Sequence, residues 1–288
     1  MELSTRNLVL DADSAIDFQM HTTFSDGTWS PEQLVDYLAA EQFGLVAITD
    51  HDRVDSAATL QQLAVQKNLP ILVASEFSTN WRGLTVDTLC FGFDPDHASL
   101  KALTQNILQR QQENTRQVYE YLLGKGYAIN PERDPVQAIL DLPAARQPHT
   151  LATLLSRINP DIDMPSVWRV IEAGGVKFMS NPIAEVVDAM HESGGVILIA
   201  HPGRGQYYPI FDPPMLDDIR GDVPIDGFEA YYPLHSAAQT AMFVDYAQRH
   251  DLLVSSGSDS HGANRMPIKY PAQNSRKLLE RMGIQIRD

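Results

Sequence analysis

The sequence contains a single cysteine, Cys90, among 288 residues. This excludes an internal disulfide framework and a cysteine-based zinc cluster. The chain also lacks a run of eighteen apolar residues, so no membrane-spanning helix is predicted. Its N-terminal segment, MELSTRNLVLDADSAIDF, has no basic start followed by a long apolar stretch and is therefore unlike a signal peptide. From these absences we expect a cytoplasmic protein with no membrane partner.

Basic residues are scarce, with 22 Lys and Arg against 37 Asp and Glu and a net charge of −15. A broad nucleic-acid surface needs a basic face, so this balance argues against one. A small phosphorylated substrate stays compatible with the charge, because bound divalent cations can reverse the sign of the potential inside a pocket. A GxSxG elbow, a P-loop and a GxGxxG turn are also missing, so acyl transfer, P-loop chemistry and a dinucleotide cofactor are not expected.

Apolar runs rich in Val, Ile and Phe alternate with helical patterns along most of the chain. This alternation predicts a parallel sheet with crossover helices, and seven strands favour a barrel over an open sheet. We therefore predict an α/β fold, a distorted (β/α)7 barrel. Its strands are expected at roughly 16–20, 45–49, 71–75, 85–92, 196–200, 226–231 and 252–256.

One stretch, residues 96–183, breaks this alternation. It begins with a long amphipathic pattern, SLKALTQNILQRQQENTRQVYEYLLGKG, and continues with shorter helical patterns and no strand signal. We predict that these residues form an all-helical insertion domain. Residues 1–95 and 184–288 would then form the barrel.

Histidines and carboxylates fall at the ends of the predicted strands. In parallel βα barrels the C-terminal strand ends face one mouth, where active sites are built. Imidazole and carboxylate ligands without thiolates suit Mn, Zn or Fe(II) better than Ca or Mg alone. The pattern predicts a metal site in this mouth, with candidate ligands His21, Asp26, Asp50, His51, Asp52, Glu76, Asp87, His201, Asp259 and His261.

Five of these segments resemble the PHP (polymerase and histidinol phosphatase) superfamily. The resemblance is to its stand-alone metal-dependent phosphoesterases, the branch that includes nucleoside 3′,5′-bisphosphate phosphatases and 5′–3′ exoribonucleases, and it extends over nearly the whole chain. The matching segments are DFQMHTTFSDG, ITDHD, ASEFS, AHPGR and GSDSHG.

The resemblance implies a cluster of two or three divalent ions, with Mg possible beside Mn, Zn and Fe. It implies that the nucleophile is a water molecule bound to the ions and that no protein side chain acts as one. The implied ligand sets are His21, Glu76 and Asp259 for one ion, Glu76 and His201 for a second, and Asp26, His51 and His261 for a third.

Two positions depart from the family pattern. Gln19 stands two residues before His21, where the family usually has another histidine, and Asp87 aligns with a position that usually carries a histidine. An amide is a poorer ligand for a transition metal than imidazole, whereas a carboxylate can ligate. We therefore expect Asp87 to be a ligand and Gln19 to weaken or remove one ion site.

Substrate contacts are expected from the insertion and from two loops. The segment ARQPH resembles an Arg-Pro-His element that reaches over the active site in this branch, so the insertion would be a substrate cap. His149 is expected to contact a substrate phosphate, and either Arg146 or Arg204 to clamp it. His235 is a further candidate at the rim.

The resemblance implies metal-dependent hydrolysis of small phosphomonoesters, with nucleotide 3′,5′-bisphosphates or short oligonucleotide ends as substrates. One alternative is a histidinol-phosphate-type phosphatase, which the long insertion and ARQPH disfavour. Another is a catalytically weakened protein that binds metal or ligand, for which Gln19 is the main support.

Overall fold

The chain is described from a computed structural model that covers residue 5 and residues 7–288. Within this range the fold is mixed α/β. No helix of the described residues is long and apolar enough to cross a membrane. The chain divides into two compact units, one formed by Met1–Ala102 with Ser180–Asp288 and the other by Leu103–Met179.

The strands of the described residues all lie in the first unit, where they form three sheets. In chain order they are β1 (Val9–Asp11), β2 (Ala15–Asp17), β3 (Leu45–Ala47), β4 (Ile71–Leu72), β5 (Ala74–Trp81), β6 (Leu84–Phe91), β7 (Asn181–Pro182), β8 (Val196–Ile199), β9 (Gly227–Tyr231), β10 (Leu253–Ser256), β11 (Tyr270–Pro271) and β12 (Gln285–Arg287). The largest sheet has the order β10-β9-β8-β6-β5-β7, the second has the order β11-β2-β3-β4, and β1 pairs with β12.

The α/β prediction is confirmed, whereas a single closed sheet is not observed among the described residues. Most neighbours are parallel, as predicted, but β6 is antiparallel to both β5 and β8. The reason is a hairpin between β5 and β6 whose turn residues, Arg82 and Gly83, both have positive φ. A two-residue turn of this kind reverses the chain without a crossover helix.

Side chains from the two larger sheets share one apolar cluster. It includes Phe18 and Leu45 from one sheet region and Phe91, Leu198 and Leu253 from the other. The rings of Phe18 and Phe91 lie 6.1 Å apart and are fully buried. Burying each such side chain stabilises the fold by about 2–3 kcal/mol, so the strand ends that carry the polar residues are held on a packed core.

Helices follow most of the strands and begin at recognisable caps. Ser30 caps the helix Pro31–Ala40 and forms a capping box with Gln33, while Ser236 does the same with Gln239 for the helix Ala237–Arg249. The helices are α1 (Pro31–Ala40), α2 (Ala57–Lys67), α3 (Ala98–Gly124), α4 (Val136–Leu140), α5 (Gln147–Ile158), α6 (Met164–Ala173), α7 (Ile183–Glu192), α8 (Pro213–Asp222), α9 (Ala237–Arg249) and α10 (Arg276–Arg281), with 3-10 helices at Ala144–Arg146 and Ala272–Ser275.

The second unit is helical throughout and has its own apolar core. Buried side chains of α3, α5 and α6 form this core, among them Val118, Leu122, Leu151, Leu155 and Ile171. The absence of strand signals agrees with the structure over residues 103–179, which contain no strand. It fails at the end of the predicted range 96–183, because Asn181–Pro182 form the short strand β7, which pairs with β5. The extent of the insertion as a domain and its role as a substrate cap stay predictions.

Candidate metal centre

Segments distant in the sequence meet where the strands of the first unit end. His21 follows β2, His51 follows β3, and His201 follows β8. Their main chains are tied to one another: the amide of His21 donates to the carbonyl of Ser260, and His51 forms an isolated bridge with Glu76 on β5. These ties hold the loops in register, so side chains separated by up to 240 positions face one site.

The histidines and carboxylates at this site form three overlapping groups. Within each group one ligand atom of every residue lies within 4.8 Å of the others. His21 belongs to two of the groups and Glu76 to two, so neighbouring cation positions would have a ligand in common. The groups are His21, Asp26, His51 and His261; His21, Glu76 and Asp259; and Glu76, Asp87 and His201.

His21 lies at the middle of the site and is buried. Its Nε2 atom is 3.1 Å from Glu76 Oε2 and 3.4 Å from Asp259 Oδ1, while its Nδ1 atom is 3.9 Å from Asp26 Oδ1. Neither ring nitrogen makes a well-directed hydrogen bond. The ring is nearly parallel to those of His51 and His261, whose centroids are 4.5 and 4.2 Å away. Buried nitrogens that face carboxylate oxygens without hydrogen bonds are the arrangement expected of metal ligands.

The backbone is strained where two of these residues leave their strands. His201 and Asp259 have φ of 32° and 54°, a backbone region that residues other than glycine rarely adopt. The His201 conformation is held by a hydrogen bond of 3.0 Å from its amide to the buried Glu229. Strain of this kind is retained where it places a functional side chain.

Asp50 organises the loop that presents Asp26. Its carboxylate accepts hydrogen bonds from the amides and hydroxyls of Thr22 and Ser25. The next loop residue, Gly27, packs so tightly that a Cβ atom would lie 2.3 Å from the carbonyl oxygen of His21. The loop can therefore hold Asp26 beside His51 and His261 only with glycine at this position.

The charges of the site also fit divalent cations. Glu76, Asp87 and Asp259 are buried, and burying a carboxylate is costly unless a cation compensates it. Burial raises the pKa of Asp87, and the charge of Glu76 raises it further. Burial opposes a charge on His21, but the carboxylates of Asp259 and Glu76 outweigh it and hold the pKa of His21 well above its usual range. Divalent cations bound by these residues would compensate the carboxylates while leaving the imidazoles neutral.

Gln19 is buried beside this cluster and contacts it directly. Its Nε2 atom donates a hydrogen bond of 2.9 Å to Glu76 Oε2, and its Oε1 atom is buried without a hydrogen-bond partner. The amide therefore faces the same carboxylate oxygen as His21. This places Gln19 where a second histidine could address the same ion, and it leaves its role as a ligand a prediction.

Replacing Gln19 with histidine is expected to raise the number of bound ions per chain, or to lower the Mn concentration for half-maximal activity about tenfold, roughly 1.4 kcal/mol. An imidazole nitrogen would offer a better ligand than the amide that now occupies the contact with Glu76. Elemental analysis and Mn titration measure the two quantities. Gln117→His, on the exposed face of α3, controls for an added surface histidine. A raised KM with unchanged metal content would instead assign Gln19 to the substrate.

Four residues that the sequence did not single out support the centre. Arg265 Nη1 donates to Asp259 Oδ2 over 2.6 Å, and the hydroxyl of Tyr232 lies 3.2 Å from the same oxygen. The hydroxyl of Tyr208 donates to Asp87 Oδ2 over 2.7 Å. Glu229 accepts a hydrogen bond from the amide of His201. A carboxylate within the apolar segment DGFEAY was a signal for Glu229, whereas the other three lie in segments with no distinctive pattern.

The predicted substrate residues of the first unit differ in their surroundings. Arg204 Nη1 lies 3.4 Å from Asp259 Oδ2, and its guanidinium carbon is 5.1 Å from the centre of the Tyr208 ring. His235 accepts a hydrogen bond from the amide of Gly203 at Nε2, and its Nδ1 atom is 3.0 Å from the carbonyl of Ala230. Because both ring nitrogens face the main chain, His235 is better suited to supporting the turn that carries Arg204 than to touching substrate.

The other two predicted substrate residues lie in the second unit. Arg146 ends the 3-10 helix that precedes α5, and His149 lies in the first turn of α5. His149 is exposed and its ring contacts those of Trp168 and Phe178. Their part in substrate binding stays a prediction.

Comparison with known proteins identifies relatives over most of the chain. The 3′,5′-nucleoside bisphosphate phosphatase of Chromobacterium violaceum is 30% identical over 250 residues, which cover 85% of this chain and 87% of that protein. The phosphoribosyl 1,2-cyclic phosphate 1,2-diphosphodiesterase of Eggerthella lenta is 27% identical over 256 residues (85% and 94%), and the 5′-3′ exoribonuclease of Haemophilus influenzae is 26% identical over 248 residues (85% and 89%). No family model matches the chain.

A solved structure has the same fold. The crystal structure of a protein described as a metal-dependent phosphoesterase from Bifidobacterium adolescentis aligns with a TM-score of 0.75 and 26% identity, over 94% of this chain and 98% of that one. Fold, relatives and the grouped histidines and carboxylates agree, and they favour an esterase over the binding-protein alternative. The chain belongs to the PHP superfamily, in the branch of stand-alone metal-dependent phosphoesterases that includes 3′,5′-nucleoside bisphosphate phosphatases and 5′–3′ exoribonucleases, and is a metal-dependent phosphoesterase.

Proposed function

We propose that this phosphoesterase hydrolyses small nucleotide phosphomonoesters, either nucleoside 3′,5′-bisphosphates or the ends of short oligonucleotides. The observation that carries the proposal is the set of three overlapping groups of histidines and carboxylates, two of which contain His21 and two of which contain Glu76. The names of the phosphatase and exoribonuclease relatives support nucleotides as the substrate class.

The three groups would hold two or three divalent ions, with Mn, Zn or Fe as the preferred metals and Mg as a further possibility. Such ions supply a nucleophile from water at neutral pH and stabilise the leaving oxygen. Glu76 would bridge two positions, because its Oε2 atom faces His21 and its Oε1 atom lies 3.3 Å from His201 Nε2.

Two arginines would orient the phosphoryl group. Arg204 and Arg265 both reach Asp259 Oδ2, and about a quarter and a third of their side chains stay exposed. About a quarter of the Arg204 side chain is exposed, so part of its guanidinium is accessible to a phosphate oxygen. Their positive charge would offset part of the repulsion between an anionic substrate and the carboxylates of the three groups, which are those of Asp26, Glu76, Asp87 and Asp259.

A substrate panel tests the proposal. We expect phosphate release in the presence of Mn to be at least about tenfold faster, as kcat/KM, for adenosine 3′,5′-bisphosphate or a short 5′-phosphorylated oligoribonucleotide than for histidinol phosphate. The same assay with Mn, Zn, Fe(II) or Mg added to chelated protein ranks the metals. Faster hydrolysis of histidinol phosphate than of either nucleotide would contradict the assignment and favour the remaining alternative. A cytoplasmic location and the capping role of the insertion also stay predictions.

A further inference from the structure

Tyr208 lies in the loop that follows β8 and contacts three residues of the metal centre. Its hydroxyl donates a hydrogen bond of 2.7 Å to Asp87 Oδ2. Its ring lies edge-on to that of His201, with centroids 4.8 Å apart, and the guanidinium carbon of Arg204 is 5.1 Å from its centre. Asp87 and His201 belong to one ligand group together with Glu76. A single side chain therefore connects one cation position with the arginine that we expect to bind phosphate.

The hydroxyl of Tyr208 orients the carboxylate of Asp87. Asp87 is 4% exposed, and among the described residues no other side chain or amide donates a hydrogen bond to its carboxylate. The contact takes up Oδ2 and leaves Oδ1 as a ligand atom. Hydrogen bonds from residues behind the ligands hold each ligand in the orientation that an ion requires. Without the hydroxyl, the plane of this carboxylate would no longer be fixed.

The loop between His201 and Tyr208 is closed by its own main-chain hydrogen bonds. The amide of Arg204 donates to the carbonyl of His201 over 3.0 Å, and the amide of Tyr208 donates to the carbonyl of Gly205 over 3.2 Å. Between the two side chains, Gly205 and Gln206 have φ of 68° and 61°, so the chain turns sharply there. The turn brings the ring of Tyr208 against the guanidinium of Arg204, and an aromatic face attracts a cation placed over it. The ring therefore limits the directions that this guanidinium can take.

We propose that Tyr208 is a positioning residue of the reaction, with separate tasks for its hydroxyl and its ring. The hydroxyl fixes Asp87 as a ligand of the ion that Glu76 and His201 also bind. The ring holds the guanidinium of Arg204 towards the substrate phosphate. The second task rests on the proposed function, in which Arg204 contacts that phosphate. Because Tyr208 acts through other residues, the two tasks have different measurable effects.

Tyr208→Phe removes the hydroxyl and keeps the ring. In the full-length protein we expect the Mn concentration that fills the site to rise about tenfold, the loss that follows when a residue supporting a ligand is removed. Electron paramagnetic resonance of free Mn measures this without substrate, and the Mn concentration for half-maximal activity should rise equally. KM for para-nitrophenyl phosphate at saturating Mn should stay unchanged. Tyr207→Phe, at the neighbouring position that is 90% exposed, is the matched control. Unchanged Mn binding in Tyr208→Phe would overturn the first task.

A double variant distinguishes positioning from a general loosening of the loop. In an Asp87→Ala background, adding Tyr208→Phe should cause no further rise in the Mn concentration, because the hydroxyl acts through this carboxylate. A second rise of the same size would show that the hydroxyl acts independently of Asp87. That result, like a fall in kcat with unchanged Mn binding, would overturn the proposal.

Tyr208→Leu removes the ring as well as the hydroxyl. At saturating Mn we expect the inhibition constant of inorganic phosphate to rise about fivefold, within the range of a cation–π contact. In an Arg204→Met background the same substitution should have no effect on this constant. Tyr208→Met takes the place of Tyr208→Leu if the latter does not fold. Equal phosphate inhibition in Tyr208→Leu and the natural protein would overturn the second task.

The readouts separate this proposal from the proposed function, because Mn and inorganic phosphate are independent of the nucleotide. Weaker Mn binding in Tyr208→Phe together with a preference for histidinol phosphate would sustain the role of Tyr208 and refute the substrate class. A preference for nucleotides with unchanged Mn and phosphate binding in both variants would do the reverse.

Discussion

Replacing Glu76 with alanine is expected to lower kcat/KM for phosphate release by about a thousandfold, equivalent to roughly 4 kcal/mol of transition-state stabilisation. Glu76 is fully buried and belongs to two of the three ligand groups. Its two oxygens face different histidines, His21 and His201. Loss of this carboxylate would therefore weaken two cation positions at once, whereas loss of a ligand that serves one group should cost less.

The measurement combines steady-state kinetics with elemental analysis of the purified variants. Glu76→Gln keeps the shape of the side chain, which separates loss of the charge from misfolding caused by a cavity in β5. Glu185→Gln, at an exposed position on α7, is the matched control and should leave activity unchanged. More than about a tenth of the natural rate in Glu76→Ala would be incompatible with a bridging ligand.

Removal of divalent ions by a chelator is expected to abolish phosphate release and to lower Tm by about 5 °C. The activity should fall to background because the reaction depends on the ions to generate its nucleophile. Stability should fall because the carboxylates of Glu76, Asp87 and Asp259 are buried close together and repel one another without a cation. A ligand at a hundred times its Kd stabilises the folded state by about 2.7 kcal/mol, and about 2 °C of Tm corresponds to each kcal/mol in a chain of this size.

Thermal unfolding with and without chelator, followed by addition of one metal at a time, checks this prediction. Mn should restore both activity and Tm. The same treatment of Glu76→Gln should change Tm less than in the natural protein, because two cation positions are already weakened. Full activity in a chelated sample with less than about a tenth of an ion per chain would refute the metal dependence of this site.

The pattern of apolar and polar residues predicted the main strands and helices well. Buried runs such as VILIA at 196–200 form strands in the structure, as β8 does. The β5–β6 hairpin was not anticipated, because the strand predicted at 71–75 ended too early, whereas β5 covers Ala74–Trp81 and reaches the turn at Arg82 and Gly83. Whether such strands pair directly or through a helix depends on the backbone conformation of the turn. The closed barrel was inferred from strand number alone, which does not determine how sheets join.

The candidate ligands were also accessible to sequence reasoning, but their supporting residues were not. Imidazoles and carboxylates placed after strands are recognisable because strand ends share an edge. Arg265 and Tyr208 lie in loops whose sequence has no regular spacing of apolar residues. Only the fold brings Arg265 to Asp259 and Tyr208 to Asp87. Hydrogen bonds between residues this far apart along the chain leave no local pattern.

The segment ITDHD shows where the sequence stops being sufficient. By itself the sequence determined that polar groups able to bind metal follow a buried strand. The tertiary structure places His51 in one of the metal groups, as expected. Only the tertiary structure decided that Asp50 anchors the loop of Thr22 and Ser25 and that Asp52 accepts a hydrogen bond from the amide of Ser78. The direction of each side chain depends on the backbone beyond the strand, where Asp52 has a φ of 52°, and on partners more than 20 residues away. Asp50 and Asp52 therefore have different partners although they are two positions apart, because these partners come from distant segments that the local sequence does not specify.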